Sequence, residues 1–344
     1  MDKEKKHSQS IKAETIQIGI VGLGMMGCSI TTCLLMAGHH VVAVAPISLD
    51  MQTAELRIKD HLEQSRREGL TSELSHFFLQ NLIITEDYSL LKDCTIVVEC
   101  TIENLDIKRS VFKKIEAVIS ADSIVTSNTS AIPISILQRE ACLPNRFMGL
   151  HWAEPSHTTR FLEIICGEHT DIDKAEWLYE VSHLWEKEPT LVRKDIRGFI
   201  TNRLMYAMYR EAFSLVENGY ATIEDVDRAC RNNAGYWMTF VGVFRWMDLT
   251  GVAAYHAVIK DLFPTLSNET GTPKLIDEIV KSGGKGILNA KGFYHYTSEE
   301  AEMWRKTFEE FSFDIRRLAK KYPVDVVEKK LAASHMKGET TDKK

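Results

Sequence analysis

Two short, almost wholly apolar runs, Ile16–Val21 and Val41–Val44, flank a longer apolar stretch that opens on Gly22-Leu23-Gly24-Met25-Met26-Gly27. Apolar runs this short and unbroken suit strands covered on both faces of a sheet. Glycines at the first, third and sixth positions permit a sharp strand-to-helix turn and let another molecule approach the backbone. The free N–H groups at the start of the following helix suit a pyrophosphate. Glycine turns also arise for structural reasons alone, but here a second strand follows the helix. Gly22, Gly24, Met25, Met26 and Gly27 are therefore the expected cradle of a dinucleotide.

Such sites ordinarily carry Asp or Glu at the end of the second strand to accept the ribose 2′-hydroxyl. That place falls at Ala45 or Pro46. Losing the acid removes a repulsion against a 2′-phosphate, so NADP is not excluded. The next basic residues, however, are Arg57 and Lys59. NAD is the expected cofactor, with Ala45 beside it, and Asp50 is an acid that could fold back.

Beyond the turn, strands at 95–99, 123–125, 147–150, 161–165 and 190–192 alternate with helical stretches at 51–69, 107–119 and 173–184. After Arg193 the pattern is helical only, over 199–217, 222–232, 240–249, 252–262, 274–282 and 298–321. The expected class is α/β: a Rossmann-like, doubly wound parallel sheet followed by an all-helical C-terminal domain. The expected divisions are a disordered segment 1–15, a dinucleotide-binding domain 16–194, a helical substrate domain 195–296, a helical extension 297–336 and a disordered tail 337–344.

Composition narrows the function classes. A net charge of −6 leaves no basic footprint for nucleic acid. Apolar and charged contents of 44% and 26% are those of a soluble globular protein. The apolar stretch 16–47 is interrupted by Gln17, Ser29, Thr31, Thr32, His39 and His40, so no membrane span is expected. Residues 1–14 lack the apolar core of a signal peptide. Seven cysteines without a CxxC pair fit neither a disulfide framework nor a zinc site, so no metal is expected and the cytoplasm is the expected compartment.

Three segments set polar groups inside apolar runs: Ser127-Asn128-Thr129-Ser130, Gly149-Leu150-His151-Trp152-Ala153-Glu154-Pro155, and Phe161-Leu162-Glu163. A histidine at a strand end is often structural, and Ser130 suits a helix or turn cap equally well. A carboxylate inside an apolar strand is rare unless it has a partner. Glu163 bonded to one nitrogen of His151 would fix the tautomer and stabilise the imidazolium formed when the other nitrogen takes a proton. Alcohol oxidation needs such a base while hydride leaves for a nicotinamide.

With these segments the chain resembles the L-3-hydroxyacyl-CoA dehydrogenase family from about Ile16 to Tyr296. The likeness runs in order through the glycine turn, Val98-Glu99-Cys100-Thr101-Ile102-Glu103-Asn104-Leu105, the SNTS segment, Gly149-Leu150-His151, Leu162-Glu163-Ile164, Gly198-Phe199-Ile200-Thr201-Asn202-Arg203, Gly235-Tyr236 and Lys291-Gly292-Phe293-Tyr294. The resemblance implies a role in fatty acid metabolism on acyl-CoA substrates and a homodimer formed through the helical domain. It implies His151 as general base with Glu163, Ser130 and Asn202 holding the substrate oxygen and the histidine, and Glu103, Lys108 and Asn128 near the cofactor. The active site would lie at the carboxyl ends of the strands, in the cleft between domains.

The chain departs from the family pattern in two places. The family's His-x-x-Asn-Pro reads His151-Trp152-Ala153-Glu154-Pro155, exchanging a neutral amide for an acid. Glu154 would stay protonated, pair with His157 or Arg160, or attract a cationic substrate. The family's Gly-Tyr-Pro-Met-Gly-Pro reads Gly235-Tyr236-Trp237-Met238-Thr239-Phe240. Trp237 would reshape a substrate entrance or serve core or dimer packing. Three alternatives stand beside the acyl-CoA expectation: a dehydrogenase of a carnitine-like or L-gulonate-like hydroxy acid, a catalytically weak dinucleotide-binding protein, and a lysine-dependent β-hydroxyacid dehydrogenase. The SNTS and GLH segments argue against the last.

Overall fold

The computed structural model describes residues 11–338, with side chains to 334. Expectations for residues 1–10 and 339–344 lie outside the described residues. Residues 11–15 stand within the segment read as disordered, yet Ala13–Thr15 form a 3-10 turn that leads into the core at Ile16. His39 holds this entry, with Nδ1 2.9 Å from the Ile16 carbonyl and Nε2 accepting the Trp185 indole N–H at 2.8 Å.

Eight strands form one sheet: β1 Ile18–Val21, β2 Val41–Val44, β3 Leu82–Thr85, β4 Ile96–Glu99, β5 Ile124–Ser127, β6 Phe147–Trp152, β7 Phe161–Cys166 and β8 Glu188–Val192. Their spatial order is β3-β2-β1-β4-β5-β6-β7-β8, and every pairing is parallel except β6 with β7. The edge strand β3 falls between the helix expected over 51–69 and the strand expected at 95–99, where no strand was expected. Its run Leu82-Ile83-Ile84 is apolar but only partly covered, as suits an edge strand with a neighbour on one side.

The two-residue period of the strands divides the core into two layers. Ile18, Ile20, Val41, Ala43, Ile96 and Val98 join one layer, while Val21, Val42, Val44, Val97 and Val125 join the other. The first layer is covered by α1 (Met25–Met36), α2 (Ser48–Arg67) and α6 (Ile172–Ser182). The second is covered by α4 (Leu105–Glu116) and α5 (Ile134–Gln138); α3 (Ser75–Leu79) adds Phe78 to the first. Strand order reverses at β1, whose neighbours are β2 and β4. The carboxyl ends there form the crevice where doubly wound sheets take ligands.

The chain divides into compact units at Asn202 and Arg203, some residues after the expected boundary. α7 (Thr201–Glu217) starts before that point. The second unit holds α8 (Ile223–Ala229), α9 (Gly235–Met238), α10 (Val243–Thr250), α11 (Val252–Leu262), α12 (Lys274–Lys281), α13 (Ser298–Lys321) and α14 (Val326–Gly338). A π-helical turn over Cys230–Ala234 joins α8 to α9, where a single helix over 222–232 was expected. Among the described residues no helix is long and apolar enough to cross a membrane.

Candidate active site

At the end of β1, Gly22 adopts a φ of +102°, and a Cβ there would lie 2.9 Å from the Cys100 backbone. A Cβ on Gly27 would lie 1.8 Å from the Gly22 carbonyl oxygen, so glycine is required for the turn to close. Gly24 differs: a Cβ there would meet nothing within 4 Å. It is the N-cap of α1, no side chain caps that helix, and its first turn holds no acid. The result is an open backbone cradle at the positive end of a helix dipole, which fits a dinucleotide pyrophosphate. Met25 is exposed and Met26 partly so at the same helix start.

His151 and Glu163 lie directly opposite each other in the β6–β7 register. Met148, Leu150 and Trp152 point into one core layer, as do Leu162, Ile164 and Cys166 of β7. The alternation therefore turns His151 and Glu163 together to the other face. His151 Nδ1 is 2.9 Å from Glu163 Oε2, with both side chains nearly buried. Oε1 accepts the Ile200 and Thr201 backbone N–H groups at 3.1 and 2.9 Å and the Thr201 hydroxyl at 3.1 Å. Burial alone would raise the carboxyl's pKa. The hydrogen bonds from His151 and Thr201 outweigh it and hold Glu163 below the ordinary carboxylate range. An ionised carboxylate only accepts, so Nδ1 carries the proton and Nε2 is left as the basic nitrogen. Phe161 and Phe199 flank the imidazole at 5.4 and 5.6 Å between ring centroids.

Thr201 is a site residue that the sequence did not single out. Gly198 and Phe199 have φ values of +81° and +52°, and this left-handed turn aims the next two amides at Glu163. Phe199 is fully buried, and that packing offsets the strain of its backbone. Asn202 donates from its side-chain amide to the Ser130 carbonyl at 3.0 Å. Asn128 Oδ1 accepts the Trp152 N–H at 2.9 Å, tying the SNTS turn to the end of β6. The Ser130 side chain is exposed beside this turn.

A second buried network organises the other side of the SNTS turn. Glu99 ends β4 with no exposed side-chain surface, and both its oxygens receive the Lys108 ammonium, at 3.0 and 2.8 Å. Ser127 Oγ and Thr101 also donate to Glu99. Lys108 lies 3.5 Å from Glu103, whose Oε1 accepts the Thr129 hydroxyl and the Ser130 and Ala131 N–H groups. Burial opposes ionisation of Glu103, but Thr129, Lys108 and the amides hold its pKa below the usual value. Lys108 is thus engaged by protein carboxylates, and Glu103 organises the turn that carries Ser130. An acid closing an apolar strand was the available signal for Glu99, because such an acid needs a partner.

Glu154 keeps an exposed face, yet burial pushes its carboxyl up to about 7 against hydrogen bonds from Ser29 and Ser156. Of its two expected partners, His157 places Nδ1 3.1 Å from Ser29 Oγ and stacks on His61, and Arg160 pairs with Glu188. The ammonium of Lys187 binds the Ser156 and Thr159 carbonyls and lies over the Trp152 ring, bracing this loop. Trp237 belongs to the C-terminal unit, where it stacks on Trp246 at 5.2 Å with a 4° interplanar angle.

Residues 17–196 match the NAD-binding domain of 3-hydroxyacyl-CoA dehydrogenase, and residues 198–296 match its C-terminal domain. A 5-formyl-3-hydroxy-2-methylpyridine 4-carboxylate 5-dehydrogenase of Mesorhizobium japonicum is 31% identical over 83% of this chain and 92% of its own length. A probable 3-hydroxybutyryl-CoA dehydrogenase of Deinococcus radiodurans is 28% identical over 82% of this chain and 100% of its own. Among solved structures, a pyridine carboxylic acid 5-dehydrogenase described as an NAD+-dependent dismutase superposes with a TM-score of 0.82. It is 29% identical and covers 89% of this chain and 99% of its own. The (S)-3-hydroxybutyryl-CoA dehydrogenase of Ralstonia eutropha gives 0.68 at 28% identity, over 82% and 99%.

Proposed function

The chain belongs to the 3-hydroxyacyl-CoA dehydrogenase family, and on that premise we propose that His151 and Glu163 are the general-base pair of this NAD-dependent dehydrogenase acting on CH–OH groups. The observation that carries this reading is the cross-strand pair itself, with Nδ1 2.9 Å from a carboxylate anchored on the Ile200 and Thr201 amides. Bound NAD supplies the hydride acceptor. In oxidation, His151 Nε2 takes the proton of the substrate hydroxyl as hydride leaves the same carbon. Glu163 stabilises the imidazolium so formed, and in reduction His151 returns the proton. Ser130 offers its hydroxyl to the substrate oxygen, on a turn held by Asn202 and Glu103. The test is kcat for His151→Ala beside equilibrium cofactor binding. Normal turnover in that variant would remove His151 from the mechanism.

The substrate we favour is a small free carboxylic acid and not a CoA thioester. Support comes from the higher identity and TM-score toward the pyridine carboxylate dehydrogenase, 31% and 0.82, than toward the hydroxybutyryl-CoA dehydrogenases, 28% and 0.68. Glu154 in place of the family's asparagine is a further difference at the site. The second reading, a 3-hydroxyacyl-CoA and hence fatty acid metabolism, rests on the match of both family domains. Nicotinamide absorbance separates them. Turnover with the formylpyridine carboxylate or with small free hydroxy acids, and none with acetoacetyl-CoA, supports the first; the reverse pattern supports the second.

We also infer a homodimer formed through the C-terminal unit. Among the described residues, helices α7 to α12 hold none that is buried. Tyr236 and Phe244 are 75% and 79% exposed, and apolar surface on this scale is normally covered by a partner. Light scattering that gives the mass of one chain would refute this. The seven cysteines are all free, which suits a cytoplasmic setting.

A further inference from the structure

The acid that ordinarily reads the adenosine ribose is missing from the end of β2. Ala45 stands there, 1% exposed, with its N–H bound to the Thr85 carbonyl at 2.8 Å. Nothing at that position discriminates between a 2′-hydroxyl and a 2′-phosphate.

Another group reaches the same end of the sheet. Asp50 is the acid of the first turn of α2, and its side chain is 17% exposed. Arg57 follows two turns later, on the same face of the helix. Its Nη1 lies 3.6 Å from Asp50 Oδ1 and donates at 3.2 Å to the carbonyl of Leu23, the residue between the first two glycines of the cradle. The guanidinium therefore ties the start of α2 to the glycine turn and draws the Asp50 carboxylate toward it. One guanidinium nitrogen serves both contacts, so Arg57 keeps other donors.

We propose that Asp50, positioned by Arg57, takes the place of the missing strand-end acid and sets the preference for NAD over NADP. The carboxylate accepts the ribose 2′-hydroxyl and repels a phosphate esterified there. Arg57 acts through Asp50 and the turn as a positioning residue. The inference depends on the cofactor alone and on no choice of substrate.

Equilibrium titration with NADH and NADPH, followed by cofactor fluorescence, tests it without any turnover. Asp50→Asn keeps the shape and removes the charge. The NADH dissociation constant should rise about tenfold, the scale of a lost charge-assisted hydrogen bond, while that for NADPH stays level or falls. Arg57→Gln should narrow the same ratio by a smaller factor. The ratio of the two constants is read within one variant, so a general loss of stability cancels from it. An unchanged ratio in Asp50→Asn overturns the proposal and leaves the pair as a staple between α2 and the turn. A selective loss of NADPH binding in Arg57→Gln overturns it as well, since Arg57 would then be a phosphate ligand.

Discussion

His151 and Glu163 are twelve residues apart in sequence but cross-strand neighbours in the antiparallel β6–β7 pair, with Nδ1 2.9 Å from Oε2. The remaining oxygen of Glu163 is filled by donors from residues 200 and 201. The carboxylate is therefore fixed from two sides, and its contact with Nδ1 orients the imidazole.

If His151 is the base, as proposed, removing it or its carboxylate partner should affect the rate more than cofactor binding. His151→Ala should lower kcat by roughly 100-fold or more, the range of general-base contributions. NADH affinity should stay near the wild-type value, as fluorescence titration can establish.

Glu163 also links stability to pH. Its folded-state pKa lies below the ordinary carboxylate value, so its contribution is present above that range and is lost as pH falls through the folded value. Thermal melting should show wild type most favoured over Glu163→Gln at neutral pH. The gap should close on acidification.

Glu154 carries the opposite sign. Its folded-state pKa is raised to about 7, so its contribution is full below the ordinary carboxylate range and is lost as pH rises through about 7. Glu154→Gln should gain on wild type in melting temperature above that pH and lose the gain below it. Parallel pH dependences of the two proteins would contradict the crowding of this carboxyl.

The second and third glycines of the turn should fail differently. Gly27→Ala places a Cβ 1.8 Å from the Gly22 oxygen and should prevent the turn from closing. Gly24→Ala meets no protein atom within 4 Å, so it should fold and melt normally. Its methyl occupies the cradle instead, and NADH binding should weaken by about tenfold or more. Circular dichroism and cofactor titration distinguish the two outcomes.

The buried ion pair of Glu99 and Lys108 should behave as one unit. Lys108→Met strands a carboxylate with no exposed surface and should cost about 3–5 kcal/mol by urea denaturation. Glu99→Leu in the same background should recover part of that loss. The Ser127 and Thr101 donors then lack their acceptor, so recovery falls short of wild type.

Much of the fold was legible because burial on both sides of a parallel sheet writes itself into single residues. The runs Ile18–Val21, Val41–Val44 and Ile96–Glu99 become central strands of the sheet, and the glycine turn lies where the order reverses. The long helix expected over 298–321 is Ser298–Lys321. The run Leu82-Ile83-Ile84 of β3 carried an apolar signal that was not read as a strand, while α3 and α5, five residues each, are too short to show a helical period. In the site, Glu163 drew notice as a carboxylate inside an apolar strand, and His151 as its available partner.

By itself the sequence marked the glycine turn of the NAD-binding domain, the two-part organisation and the candidate pair His151 and Glu163, because each depends on residue type and local period. Tertiary structure decided what those residues do to one another. The antiparallel register sets His151 on Glu163, the left-handed turn at Gly198 and Phe199 brings Thr201 to the same carboxylate, and Glu99 claims Lys108. Arg57 reaches Leu23 across 34 residues of chain. Hydrogen bonds and ion pairs act over about 3–4 Å, so separations along the chain do not report them. They exist only once the sheet and its helices have brought the partners together.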